Sequence, residues 1–370
     1  MTSKERILGA VKRTPIDRVP ISMYELSPVE GSAYASFANK EPSYQRLLKL
    51  MSEKTDTIMQ IDAAVTYPEI DRLTEVLEQR EGDAVLKTVT IHTPKGDLVS
   101  RTREDDNIFT VWTLEHFLKE PDDIEKYMSL DFTASVDVSP VLEKQKILGD
   151  SGIPCPSVSD PICRAAQLFS MEDFLVFAIT ETDRSIQFLD FLWELTRYEL
   201  SEMLVPDVTD IMFRIVGPEY ATPPYLPDRY YEPFVTKYLD RMAKMINDAG
   251  AISRVHSHGK VRYALSEFAK TGVLCVDPVE PVPDGDISLS EIKSLYKDRF
   301  VLLGNIELKA LETASPEEIE HMVENVLQDG MPGGGFILMP TATPINIPLS
   351  QKTEENMIAM IEAAHKFGQY

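Results

Sequence analysis

Short apolar runs recur along the chain, each closed by a polar or Gly/Pro-bearing stretch and then followed by a segment of helical period. A strand buried on both faces reads as a continuous apolar run, whereas a helix packed on one side reads with a 3.6-residue period, so the alternation predicts repeated strand–helix units. Eight runs predict strands at residues 19–24, 57–61, 153–158, 210–216, 251–255, 272–276, 299–303 and 335–339. Helical periodicity predicts helices over 171–204, 228–249, 260–270, 289–297 and 316–327; Ser315 and Pro316 supply the last with an N-cap and a first-turn proline. Eight strands alternating with helices predict an α/β fold of the (β/α)8 TIM-barrel class, one domain over residues 1–370.

The long interval between the second and third predicted strands breaks this rhythm. Within it, 86–92, the turn Thr93-Pro94-Lys95-Gly96-Asp97, 98–102 and 108–112 predict an antiparallel meander inserted at residues 85–113, as a lid or a dimer contact.

A barrel carries its chemistry at the C-terminal ends of its strands, and polar groups stand at those positions here. Tyr24 and Glu25 follow the first predicted strand, Asp62 the second, Asp160 the third, and Glu219 and Tyr220 the fourth. Asp277 and Glu280 follow the sixth, Asn305 the seventh, and Thr341 and Thr343 the eighth. At the end of the fifth, Arg254-Val255-His256-Ser257-His258-Gly259 places two imidazoles two residues apart, on one side of a strand of period two. Same-facing histidines at a strand mouth point to a metal site. Structural roles compete at several of the others: Asp62 and Asp160 suit helix caps, Asp277 and Glu280 proline-flanked turns, Asn305 a Gly-Asn turn, and Cys275 packing.

Composition narrows the choice. A formal charge of −23 over 370 residues argues against nucleic-acid and anionic-membrane surfaces, which need basic patches for phosphate. Cys155, Cys163 and Cys275 lack paired spacing and leave an odd thiol, which suits a reducing, cytoplasmic setting. The opening Met1-Thr2-Ser3-Lys4-Glu5-Arg6 leads into a short amphipathic helix rather than an apolar signal core, and no later run is long enough to span a bilayer.

The segments Pro15-Ile16-Asp17-Arg18-Val19-Pro20, Val158-Ser159-Asp160-Pro161, Gly217-Pro218-Glu219-Tyr220, His256-Ser257-His258-Gly259, Gly304-Asn305-Ile306 and Phe336-Ile337-Leu338-Met339-Pro340 together resemble the uroporphyrinogen decarboxylase superfamily over nearly the whole chain. The resemblance is closer to its cobalamin-linked methyltransferase branch than to the decarboxylase itself. The decarboxylase's arginine-rich stretch after the first strand is replaced by Pro20-Ile21-Ser22-Met23-Tyr24-Glu25-Leu26, and its histidine after the last strand by Pro340-Thr341-Ala342-Thr343-Pro344.

What the methyltransferase branch implies is a zinc ion and a corrinoid carried on a partner protein. His256 matches the histidine of that branch's H-x-C zinc motif, His258 stands at its cysteine, and Thr341 or Ala342 occupies the region of its second cysteine. Imidazole in place of thiolate makes such a site harder and favours oxygen donors, so Glu219 becomes the candidate third ligand.

The resulting expectation is zinc-dependent transfer of a methyl group between a small ether- or thiol-type substrate and a corrinoid protein, with His256, His258 and Glu219 catalytic. Tyr24, Glu25, Asp160, Tyr220, Asp277, Glu280, Asn305 and Thr341 would line the substrate, with Tyr225 as a further wall. A homodimer is expected. A metal-free decarboxylase-like lyase and a non-catalytic barrel that binds a small ligand remain the alternatives. A zinc hydrolase of the amidohydrolase type fits poorly, because His92, His116, His321 and His365 are badly placed to complete it.

Overall fold

The protein is described here by a computed structural model covering residues 1–370. Its parallel strands are β1 (Thr57–Gln60), β2 (Gly152–Cys155), β3 (Ser157–Ser159), β4 (Met212–Val216), β5 (Ile252–Ser257), β6 (Cys275–Pro278), β7 (Val301–Ile306) and β8 (Phe336–Pro340). Strands β3 to β8 form one six-stranded sheet in sequential order, and β1 pairs with β2. Only Pro156 separates β2 from β3, so one extended stretch pairs with β1 on one side and β4 on the other. The strand expected at 153–158 is therefore broken where proline removes a ladder donor.

The strand expected at 19–24 is not a regular strand. It is an extended segment joined to β8 by Leu338 N–H to Pro20 O and Ser22 N–H to Leu338 O, both 2.9 Å, and to the start of β1 by Asp56 N–H to Ile21 O at 2.7 Å. Pro20 has no N–H to give, which limits the ladder to a single bridge at Ile21. Buried Asp56 fixes the same segment by accepting from Arg6, Arg18 and the Ile21 N–H.

Several boundaries also move. The strands expected at 251–255, 272–276 and 299–303 run further toward their C-termini, so that His256, Asp277 and Asn305 lie within strands. The single helix expected over 171–204 is two, Met171–Thr180 and Thr182–Met203, interrupted at Glu181. The one expected from 228 begins as a 3-10 turn and a π turn, and becomes α-helical at Lys237–Asp248. No helix is long and apolar enough to cross a membrane.

The interval after β1 holds a four-stranded antiparallel sheet, Thr74–Glu81, Ala84–Thr93, Gly96–Asp105 and Ile108–Glu115, joined in sequence order. It is larger than the meander expected at 85–113. The strand Thr74–Glu81 is exposed along nearly its whole length and so carries no apolar alternation to announce it. Two-residue turns connect the first three strands, with Gly82 and Gly96 at positive φ as tight hairpins require.

Along the parallel strands one face is apolar at the N-terminal end and polar at the other. Ile58, Ile153, Cys155, Met212, Ile252, Cys275, Val301, Leu303, Ile337 and Met339 form a buried cluster on that face. Stepping two residues on from these positions leads to Gln60, Arg214, Arg254 and Asp277, and a further step from Arg254 to His256. The period of the strand thus converts an apolar floor into a charged layer at the C-terminal ends.

Candidate active site

Arg254 and Asp277 sit at the centre of that layer, 2% and 0% exposed. The guanidinium donates to the carboxylate from Nε to Oδ1 at 2.6 Å and from Nη2 to Oδ2 at 2.7 Å, the fork-to-fork pairing that suits arginine. Asp277 Oδ2 also lies 2.8 Å from His256 Nδ1, so the proton of a neutral ring sits on Nδ1 and the Nε2 lone pair is turned to the Tyr24 hydroxyl. Burial alone would raise the Asp277 carboxyl, but the charge of Arg254 and the hydrogen bonds from Arg254 and His256 hold it far below the usual range.

His258 repeats the arrangement one strand step later. Its Nδ1 lies 2.8 Å from Glu280 Oε1, and the two imidazoles meet edge to face with centroids 4.5 Å apart. The rings differ in environment. His256 is buried; desolvation, with the Arg214 charge adding, pushes it down to about 3 against the pull of Asp277. The His258 side chain is 39% exposed; burial still opposes its proton, yet the Glu280 hydrogen bond and charge prevail and raise it.

Behind His256 stands Tyr24, whose hydroxyl lies 3.4 Å from Nε2 and also accepts from Arg214 Nη2. Arg214 packs over the Tyr24 ring at 5.0 Å and donates through Nη1 to Glu25 at 3.2 Å and to Gln60 Oε1 at 3.1 Å. Arginines in otherwise apolar strands, Met212-Phe213-Arg214-Ile215 and Ile252-Ser253-Arg254-Val255, were the signal for this layer, because an inward charge there must find a buried partner. Neither those arginines nor Gln60 figured among the expected site residues.

The other expected site residues fall in separate places. Asp160 caps the helix Pro161–Leu168 by accepting from Cys163 N–H at 2.8 Å, and burial raises its carboxyl well above the ordinary value. Asn305 donates Nδ2 to Val279 O at 3.1 Å, and Thr341 Oγ1 accepts from Leu308 N–H at 3.3 Å. Tyr220 lies in the short 3-10 turn Pro218–Ala221 with Glu219, while Tyr225 is 48% exposed. Glu219 Oε2 is buried without a partner, and desolvation raises that carboxyl too.

Gly217, at φ 133°, brings the Glu219 turn over the Asp160 cap: a Cβ there would stand 2.0 Å from Asp160 Oδ1 and 2.6 Å from Cys163 Cβ. Gly217→Ala is expected to destabilise by about 2 kcal/mol or more, from overpacking added to an unfavourable φ, as read by urea unfolding.

A family model described as uroporphyrinogen decarboxylase (URO-D) matches residues 113–367, more than half of the chain. The chain belongs to the uroporphyrinogen decarboxylase family. Among solved structures, a methyltransferase from Methanosarcina mazei aligns over 99% of both chains with a TM-score of 0.62 at 17% identity, a likeness of fold. A Mesorhizobium loti structure described as a dehydratase candidate aligns over 76% of this chain and 86% of its own at 7% identity and a TM-score of 0.21, too distant to bear on the architecture. No curated protein sequence matches the chain.

Within this family frame, zinc can be tested against the residues present. Two imidazoles with carboxylates on Nδ1 are suitable nitrogen donors through Nε2, provided the Tyr24 hydroxyl 3.4 Å from His256 Nε2 gives way, and the orphaned Glu219 Oε2 is a suitable oxygen donor. The donor set therefore fits zinc in kind. No group of three His, Cys, Asp or Glu side chains stands at mutual ligating distance, so Glu219 has to turn toward the pair to complete it.

The low His256 value also adds an acid-labile contribution to the folding of this uroporphyrinogen decarboxylase family protein. Between its ordinary value of 6.5 and the folded value of about 3, the unfolded chain binds a proton at this ring that the folded chain does not. Stability at this site is thus present above pH 6.5 and falls as pH drops toward 3. Urea midpoints of chelator-treated protein are expected to fall between pH 6.5 and 4, and His256→Asn is expected to flatten that slope.

Proposed function

We propose that the chain is a methyltransferase that moves a methyl group between the oxygen or sulfur of a small methylated compound and a corrinoid carried on a separate protein. The observation that carries this reading is the pair of carboxylate-oriented imidazoles at the end of β5, His256 on Asp277 and His258 on Glu280, each at 2.8 Å. Carboxylates on Nδ1 lock the tautomer and make Nε2 the donor, an arrangement characteristic of metal-ligating histidines. His256, His258 and Glu219 would hold zinc. Zinc bound there would supply a Lewis acid for the heteroatom that gives up or receives the methyl group.

The chain's own residues bind and orient. Asp277, paired with Arg254, fixes the tautomer and aim of His256, which burial and the Arg214 charge keep neutral, and Glu280 orients His258 from the half-open side. Tyr24, Glu25 and Tyr220 would wall the substrate; Asp160, Asn305 and Thr341 would position the loops around it. The reading takes the parallel strands as one closed barrel, supported by the hydrogen bonds of the 20–22 segment to β8 and to Asp56. The test is metal analysis of protein purified without chelator, together with methylation of cob(I)alamin from methyl ethers and thioethers followed by absorbance. About one zinc per chain and methylcobalamin formation support it; no metal and no transfer would sink it.

A metal-free lyase is the second reading, favoured by the incomplete convergence of the three ligands. Release of carbon dioxide from a carboxylated substrate by chelator-treated protein would support that reading against methyl transfer.

We also propose that the antiparallel sheet is the contact between two copies of the chain. Val76, Leu77, Val111, Trp112 and Leu114 are each at least half exposed there, while the neighbouring charges are neutralised within the sheet, Lys87 by Glu78, Arg80 by Asp106, Arg101 by Glu115 and Arg103 by Asp105, so that the apolar side chains can meet a second copy without leaving unpaired charge. Sedimentation equilibrium is expected to give a dimer for wild type and a monomer for Trp112→Glu/Leu114→Glu; a wild-type monomer would overturn the proposal.

A further inference from the structure

At the other end of the strands from His256, where the chain enters β8, a group of cations stands without counter-charge. Arg13 closes the helix Ser3–Lys12, Lys293 lies on the helix Leu289–Tyr296, and Lys297 and Arg299 follow it. In a chain of net charge −23, Arg13, Lys293 and Arg299 make no ion pair and bond only to backbone carbonyls. Arg13 donates to Lys297 and Phe300, Lys293 to Gly334, and Arg299 to Phe268, Ala269, Thr271 and Val273. Burial, with the charge of Arg13 adding, pushes Lys293 down to about 8 and lowers Arg299 as well.

Arg13 is a wall of a cavity of about 340 Å³, shared with Thr14, Gly333, Gly334, Gly335 and Tyr370, and no other side chain lining it is charged. The guanidinium bonds through Nε and Nη2, which leaves Nη1 without an acceptor. Thr14 Oγ1 has only a 3.5 Å contact with Gly9 O. The three glycines follow one another at φ 78°, 68° and 66°, and only the middle N–H is bonded, to Met331 O at 2.9 Å. A Cβ on Gly333 or Gly334 would meet no atom within 4 Å, so the loop borders open space. Lys293, 6% exposed, fixes the loop through Gly334 O and adds a second positive charge. Capping of helix-end carbonyls accounts for Nε and Nη2 of Arg13, but it leaves Nη1, the Gly333 and Gly335 N–H groups and both charges unmatched.

We infer that this cavity is a site for the phosphate group of a small phosphate monoester. A guanidinium edge, two backbone amides and a hydroxyl are donors suited to an oxyanion, and phosphate brings three acceptor oxygens and nearly two charges to meet them. Gly333, Gly334 and Tyr370 also border a second cavity of about 540 Å³, walled by Leu327, Met331, Pro332 and Phe367. An apolar body therefore has a place beside the phosphate, which favours an ester over the free ion. Glu324 is the one charged side chain in that second lining and selects a body without a negative charge of its own.

The probes are phenyl phosphate and inorganic phosphate, titrated calorimetrically at pH 7 into the full chain in a buffer free of phosphate. Phenyl phosphate is expected to bind at least tenfold more tightly, through burial of its ring. Arg13→Met is expected to weaken it at least tenfold, and Thr14→Ala, at an exposed position, several-fold. Tyr370→Ala, also exposed, should bring it within about threefold of inorganic phosphate. Proton uptake at pH 8, read in buffers of different ionisation heat, gives a second signature. Phenyl phosphate is already a dianion there, and its charge joins that of Asp298 in favouring the protonated Lys293 amine against Arg13 and Lys297. Binding should therefore take up a fraction of a proton, and Lys293→Met should abolish that uptake. No binding of phenyl phosphate, equal binding of the two probes, a folded Arg13→Met that binds as wild type does, or binding without proton uptake would overturn the inference. These readings need neither metal nor corrinoid, so a protein that binds phenyl phosphate through Arg13 but transfers no methyl group would retain this site and lose the methyltransferase reading.

Discussion

Asp277→Ala is expected to cost about 3–5 kcal/mol of stability, the range for removing one partner of a buried ion pair. Arg254 would keep its full charge inside the layer, having lost both oxygens of its fork at 2.6 and 2.7 Å, and His256 Nδ1 would lose its acceptor as well. Neither group can reach water, since Arg254 is 2% exposed and His256 5%. The double variant Arg254→Met/Asp277→Leu separates the penalty of an unpaired charge from the worth of the pair. It is expected to recover most of the loss, because apolar side chains of similar volume can replace a buried pair at little cost. Urea unfolding of the three proteins checks this; a loss below about 1 kcal/mol in Asp277→Ala would mean that water enters the layer and screens Arg254.

The same layer shows what sequence patterning could and could not carry. His256 and His258 were legible because a strand repeats every two residues, and the structure sets their rings 4.5 Å apart. Asp277 and Glu280 were legible as polar residues after a strand but not as partners of particular rings, because pairing across β5 and β6 depends on register: His256 stands opposite Asp277. Arg214 and Arg254 were illegible for a different reason. An arginine in an apolar run reads equally as an exposed edge position, and only the three-dimensional count of partners makes it an interior charge. Strand ends moved because polar inward residues still belong to the ladder; hydropathy stops at Val255 and Val276, whereas hydrogen bonding continues through Ser257 and Pro278. The exposed strand Thr74–Glu81 lay beyond reach altogether, since nothing buries either face enough to select apolar residues.

His256→Ala/His258→Ala is expected to lower bound zinc from about one per chain to less than a tenth, and methyl transfer to cob(I)alamin with it, whereas the single-carboxylate variant Glu280→Gln should weaken zinc about 10–100-fold. The argument for a graded series runs through the second nitrogen of each ring. Removing a ring deletes a donor; replacing Glu280 leaves the donor but takes away the charge that raises the basicity of His258 and fixes its tautomer. That raised proton affinity also sets the sign with pH. A metal must displace the proton on His258, so zinc affinity should fall as pH drops below neutrality, and the fall should be shallower in Glu280→Gln. Glu280 is partly exposed, so its loss should leave the urea midpoint nearly unchanged, unlike that of Asp277. Zinc retained at wild-type level in the double histidine variant would place any metal away from this pair, and methyl transfer retained without zinc would remove the Lewis acid from the mechanism while leaving the carboxylate-oriented rings to be explained by general acid–base work at His258, the exposed member of the two.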